Sequence, residues 1–170
     1  MKKVISYSGF LWGFLPVLSA YGSEPATKTL PNIILILADD LGIGDLGCYG
    51  QKRIKTPAID RLAKNGIKFT QHYSGSTVSA PSRCVLLTGK HTGHAFIRGN
   101  KGYRAEDGRM YDMDLASDEV TVAELFKKRN YTTACIGKWG LGGPSGEGHP
   151  NSQGFDYFFG NSVQNNFAIK

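Results

Sequence analysis

Asn32-Ile33-Ile34-Leu35-Ile36-Leu37 is an unbroken apolar run that ends, past Ala38, on the adjacent carboxylates of Asp39 and Asp40. A run without polar alternation is the pattern of a strand buried on both faces, and such strands belong to parallel sheets covered by helices. Ligands of these sheets bind beyond the carboxyl ends of the strands, which is where the reading puts the two aspartates. Gly42, Gly44, Gly47 and Gly50 follow in a loop whose backbone can approach a bound group closely. Gly42, Gly44 and Gly47 could be mistaken for the glycine pattern of a dinucleotide site, but the helix that such a site requires does not follow.

Working outward, Thr56-Pro57 starts a helix that Gly66 stops, with Ile59, Leu62 and Ala63 on one face. Residues 67–73 read as a second strand with imperfect alternation. A short loop then delivers the chain to Ser79, and Pro81 suits the first turn of a helix over residues 82–87, with Ser79 at its N-terminus. Residues 92–117 read as irregular. Thr121-x-x-Glu124 is a capping-box pattern that opens a helix to about Lys128. Residues 131–136 form a third expected strand, followed by Gly137-Lys138 and a glycine-rich loop. Strands that alternate with helices argue for a layered α/β fold.

The composition is that of a globular chain: 170 residues, 41% hydrophobic and 20% charged. Its net charge of +6 comes without a Lys/Arg cluster, so no nucleic-acid footprint is read. Lys2-Lys3, the apolar stretch from Val4 to Leu18 and small residues through Ser23 match an export signal cleaved after Gly22. The apolar stretch, interrupted by Ser6, Ser8, Gly9 and Gly13, is short for a span, so no stable membrane anchor is expected. The organisation is therefore read as a signal peptide over residues 1–22, a linker over 23–31 and one catalytic-domain portion over 32–170. A periplasmic or secreted protein is the implied location. Cys48, Cys84 and Cys135 are odd in number and match no zinc spacing, and they read as buried free thiols.

Two stretches carry the chemistry. Ser79-Ala80-Pro81-Ser82-Arg83 runs into Cys84-Val85-Leu86-Leu87-Thr88-Gly89, and Ala134-Cys135-Ile136-Gly137-Lys138-Trp139 lies downstream. With Asp39-Asp40-Leu41-Gly42 and Gly44-Asp45-Leu46-Gly47, these resemble the type I sulfatases, in the branch that carries serine at the first motif position. The resemblance covers about residues 32–161. It implies an alkaline-phosphatase-like α/β/α sandwich with a largely parallel central sheet, incomplete in this chain. It also implies hydrolysis of a sulfate monoester, a sulfated small molecule or glycan, after a maturation enzyme has oxidised Ser79 to formylglycine. One hydroxyl of the aldehyde hydrate attacks sulfur as the ester S–O bond breaks and the alcohol leaves with a proton from an acid; deprotonation of the other hydroxyl then releases sulfate and regenerates the aldehyde. Unmodified serine would be left as a stable sulfate ester.

The same resemblance implies that Asp39, Asp40 and the modified Ser79 ligate Ca2+, with Mg2+ as the alternative; both are hard cations that take oxygen donors. It casts Arg83 as the group that orients the hydrate and Lys138 as the point charge on sulfate. Many sulfatases carry histidine two residues after that lysine, where this chain has Gly140, and His149 is the nearby substitute. His72, His91 and His94 have no ligand spacing and read as structural or substrate-edge residues, and Asp45 is given no ligand role. The remaining metal ligands and the leaving-group acid are expected beyond Lys170, which makes the chain read as part of a larger enzyme. Two other readings stand beside this one: a phosphodiesterase or phosphonate monoester hydrolase sharing the aspartate site, and a non-catalytic fragment.

Overall fold

The computed structural model describes residues 30–104, 106, 108 and 110–162. The expected signal peptide and most of the linker lie outside the described residues. The chain divides after Asn65 into two compact units, each treated by itself below. No helix among the described residues is long and apolar enough to cross a membrane.

In the first unit, residues 30–38 form no strand. Ile34 and Ile36 are 84% and 80% exposed, where a doubly covered strand would hide them. The apolar run has the composition of a central strand, but a strand exists only through neighbours that take its N–H and C=O groups. Among the described residues none pairs with it. Two short 3-10 turns follow, Ile43–Asp45 and Gly47–Tyr49, and then helix α1, Pro57–Asn65, as expected. The Asp60 carboxylate accepts from Cys48 N–H at 2.6 Å and from the Thr56 hydroxyl at 3.0 Å. Thr56 Oγ1 in turn accepts from Gly47 N–H at 2.9 Å, so one acid on α1 fixes the glycine loop.

The second unit contains helix α2 (Ser79–Thr88), hairpin strands β1 (Gly102–Arg104) and β2 (Met110–Asp112), helix α3 (Val122–Lys127), and strands β3 (Ala134–Lys138) and β4 (Tyr157–Asn161). Residues 67–73 are exposed and form no strand; their broken alternation supplies no face to bury. Helix α2 ends on Gly89, whose φ of 68° is the left-handed cap that glycine adopts without strain. Helix α3 opens with the expected capping box: Thr121 Oγ1 accepts from Glu124 N–H, and the Glu124 carboxylate accepts from Thr121 N–H at 2.7 Å.

β3 pairs in parallel with β4, Ala134 opposite Tyr157 and Lys138 opposite Asn161. It starts three residues later than the apolar pattern suggests, because Thr133 is occupied by Asp156. That carboxylate accepts from Thr133 N–H at 2.9 Å and from its hydroxyl at 3.0 Å. The stretch read as irregular hides the antiparallel β1–β2 pair, with Tyr103 opposite Tyr111. The core lies between α2 and the segment after β3: Ala80, Cys84, Ala95, Ile97, Leu115, Trp139 and Leu141 are all buried. Buried Gln153 ties this segment down, donating to the carbonyls of Leu115 at 3.0 Å and Glu147 at 2.8 Å.

Cys48, Cys84 and Cys135 are free thiols as expected, but only Cys84 is fully buried. Two outcomes follow from the β3–β4 pair. A Cβ built on Gly160 would lie 1.8 Å from the Gly137 carbonyl oxygen, and backbone cannot yield as a flexible side chain can. Gly160→Ala is expected to cost more than about 2 kcal/mol in denaturant unfolding of the full-length protein; a change within about 0.5 kcal/mol, the range of ordinary surface substitutions, would contradict the register. The Lys127 ammonium and the Thr133 donors hold the Asp156 carboxyl down to about 2. Its contribution to stability is therefore present above the usual carboxylate range and fades as pH falls toward 2. Carbon-detected NMR of Asp156 should show that low midpoint, and the ordinary aspartate midpoint of about 4 would refute the clamp.

Candidate active site

Ser79 is the first residue of α2, and Arg83 follows one turn later on the same face. Arg83 Nε donates to Ser79 Oγ at 3.1 Å. The same guanidinium reaches across the fold, its second nitrogen donating to the backbone carbonyl of Lys138 at 2.6 Å. Lys138 is the last residue of β3, so one planar group joins the start of a helix to the carboxyl end of a strand. Ser79, Arg83 and Lys138, expected together from two separate motifs, are brought together within this unit. All three are half-buried, as a site open on one side requires.

The helix N-terminus is more occupied than the sequence suggests. Ala80 N–H donates to Asn100 Oδ1 at 3.0 Å, and Pro81 has no N–H. Ser82 N–H already closes on Val78 O at 3.2 Å. Ser79's own N–H is the first-turn donor left among the described residues. Asn100 therefore caps α2 in place of Val78, whose side chain makes no cap bond. Sequence reasoning missed Asn100, and nothing local could have found it, since it lies twenty residues away in an irregular stretch.

Gly140 has φ 73° and donates its N–H to Ser162 O at 3.0 Å. A histidine would adopt that left-handed backbone only with strain, so the chain path here suits glycine. His149 is not drawn into the site by any contact. Its ring stands edge-on to Phe158 at 5.6 Å, and its Nδ1 accepts from Asn151 N–H at 3.3 Å, which makes it a turn residue. Among the other histidines, His91 Nδ1 accepts from Gly93 N–H in the turn after α2, and His72 lies against Phe69.

Asp39 and Asp40 belong to the first unit, where both are exposed. Asp40 has φ 54°, a left-handed conformation that Asp tolerates better than most residues. The Asp45 carboxylate accepts from Gly42 N–H at 2.8 Å. Two adjacent carboxylates are a hard-oxygen donor pair that fits Ca2+ or Mg2+. No group of three or more His, Cys, Asp or Glu that could hold a metal ion gathers among the described residues.

Burial raises the Cys135 thiol above its usual range, and the Arg83 charge opposes that rise. Arg83→Gln should therefore push the thiol higher still. Its pH-dependent alkylation, followed by mass spectrometry, should shift to higher pH in the variant; an unchanged profile would mean the guanidinium does not sit beside Cys135.

With this geometry in place, comparison with known proteins is informative. The sulfatase family profile matches residues 31–169. The chain is 42% identical to human steryl-sulfatase over 161 residues, 89% of this chain and 27% of that protein. It is 47% identical to an N-acetylgalactosamine-6-O-sulfatase of Bacteroides thetaiotaomicron over 138 residues, 76% of this chain and 26% of that one. Among solved structures, a Bacteroides thetaiotaomicron protein described under metabolism of multiple glycosaminoglycans aligns with TM-score 0.68 and 40% identity, over 79% of this chain and 28% of that chain. Ps i-CgsB in complex with k-i-k-neocarrahexaose aligns with TM-score 0.65 and 38% identity, over 78% and 28%. These neighbours have the alkaline-phosphatase-like fold, and the present chain is an incomplete α/β portion of it. The chain spans about a quarter of the length of these relatives.

Proposed function

Because this chain belongs to the sulfatase family, we propose that it carries the nucleophile-bearing part of an enzyme that hydrolyses a sulfate monoester of a carbohydrate or aryl alcohol. The observation that carries the reading is the Arg83 bridge from Ser79 Oγ to the Lys138 carbonyl. Such an enzyme must hold its nucleophilic oxygen still, balance the charge on the non-bridging sulfate oxygens, and exclude alternative poses. Arg83 fixes the Oγ position with a rigid donor. Its second bond fixes the strand end that presents Lys138, whose ammonium acts as a point charge for sulfate. Ser79's own N–H and the dipole of α2 favour negative charge at the same place.

Oxidation of Ser79 to formylglycine by a serine-competent maturation enzyme would supply a hydrate that can release sulfate without leaving a stable ester. Asp39 and Asp40 would hold a divalent cation, Ca2+ in the first instance, which polarises sulfate oxygens as a Lewis acid. A glycan substrate is supported by Ps i-CgsB with its bound neocarrahexaose and by the 6-O-sulfatase relative. The basic and apolar start of the sequence supports action in the periplasm or outside the cell. The catalytic portion is taken as residues 32–170, after a signal peptide over 1–22 and a linker over 23–31.

In full-length protein from its native host, the peptide containing residue 79 should be about 2 Da lighter than the serine form and react with hydrazides. Ser79→Ala should lower sulfate ester hydrolysis by at least about 10^3-fold. An intact serine in active enzyme would overturn the nucleophile assignment. Asp39→Ala and Asp40→Ala should each abolish turnover, as should thorough chelation, with Ca2+ restoring only the chelated wild type. Undiminished turnover in either variant would remove these aspartates from the metal site.

A further inference from the structure

The 14 acidic residues of this chain are distributed so that none falls between Arg61 and Ala105. Within the second unit that acid-free stretch holds Lys68, Arg83, Lys90, Arg98, Lys101 and Arg104. Arg83 serves the site, and Lys90 pairs with Glu119 at 2.6 Å. Arg98 and Lys101 are exposed, and neither is paired with a carboxylate among the described residues. Such a cluster spends repulsion energy unless something anionic meets it.

Its position is fixed. Ala95 and Ile97 are buried in the core, and they anchor the loop from below. Asn100 holds it from the side, through the bond to Ala80 N–H next to Ser79. Arg98 is two residues from that bond, so its Cα lies at most about 7.6 Å from that of Asn100. Arg98 Nε donates to Ala95 O at 3.0 Å, which ties the exposed guanidinium to the loop and leaves its two terminal nitrogens as a fork. That fork matches a carboxylate or sulfate with two parallel bonds. Lys101 follows, its carbonyl accepting from Met113 N–H at 3.0 Å. Exposed Phe96 and Tyr103, at 41% and 45%, flank the two cations with ring surface of the kind that sugars lie against.

The geometry points to a second anion subsite, formed by Arg98 and Lys101 beside the start of α2, that takes a uronate carboxylate or a further sulfate on an acidic glycan. It rests on the sulfatase reading for the first anion and narrows the substrate to polyanionic glycans. A monosulfated apolar alcohol has nothing to place there.

The test uses full-length protein, wild type and Arg98→Gln/Lys101→Gln, with two substrates. One is a sulfated N-acetylhexosamine–uronate disaccharide and the other is 4-nitrophenyl sulfate. The double variant should raise KM for the disaccharide about 5- to 10-fold, with kcat and the aryl sulfate unchanged, and high salt should erase the difference. Arg98→Lys, which keeps the charge and loses the fork, should fall between. An unchanged disaccharide KM, or equal losses on both substrates, overturns the subsite. If the wild type cleaves neither substrate, the sulfatase reading fails separately. Disaccharide binding to Ser79→Ala, with and without the Arg98 and Lys101 changes, then decides: a weaker Kd in the changed protein supports the subsite, and equal Kd values overturn it.

Discussion

One guanidinium holds the second unit's chemistry in place. Arg83 donates to Ser79 Oγ within its own helix and to the Lys138 carbonyl fifty-five residues away. A lysine could make one such contact but not two in a fixed plane. Both partners are supported from beneath: Ala80 and Cys84 bury the inner face of α2, and Trp139 and Leu141 bury the segment after β3. The indole N–H of Trp139 donates to Gly148 O at 2.7 Å, so the loop beyond Lys138 folds back on the strand that presents it. Packing sets the distance between the two motifs, and Arg83 makes that distance chemically useful.

The same supports explain several glycines. Gly137 and Gly160 stand opposite each other in β3 and β4; a Cβ on Gly160 would strike the Gly137 carbonyl, while Gly137 has open space but a left-handed φ of 106°. Gly142 and Gly148 crowd Asp114, whose carboxylate accepts from Gly143 N–H at 2.9 Å. These contacts give the loop after Lys138 one path, and the left-handed Gly140 lies on it. A histidine at that position would need a different loop, so its replacement here is a matter of backbone as well as chemistry.

Much of this was legible in the sequence, and the failures have a common cause. The Thr121 capping box, the Pro57 start and Gly66 stop of α1, and the helix that opens at Ser79 all depend on neighbours within a turn, which sequence displays directly. The i,i+4 spacing likewise placed Arg83 against Ser79. Its second bond, to Lys138, could not be read, because a backbone carbonyl has no signature in sequence. Two of the three expected strands failed for the same reason, while the third is β3, shifted by its start. The apolar run at 32–37 states a preference for burial without supplying the neighbours that would pair with it, and residues 67–73 lack even a consistent face. β1 and β2 were missed because three-residue strands carry too little pattern. Exposed Asn100 and buried Gln153 both act across distances that only folding closes.

The proposal that residue 79, Arg83 and Lys138 form one anion-receiving site can be checked by a high-resolution crystal structure of the full-length protein soaked with vanadate or sulfate. The anion is expected within hydrogen-bonding distance of both the residue 79 side chain and Lys138 Nζ, with Arg83 still donating to residue 79 and to the Lys138 carbonyl. An anion bound elsewhere, or Arg83 turned away from residue 79 while the anion is present, would contradict it.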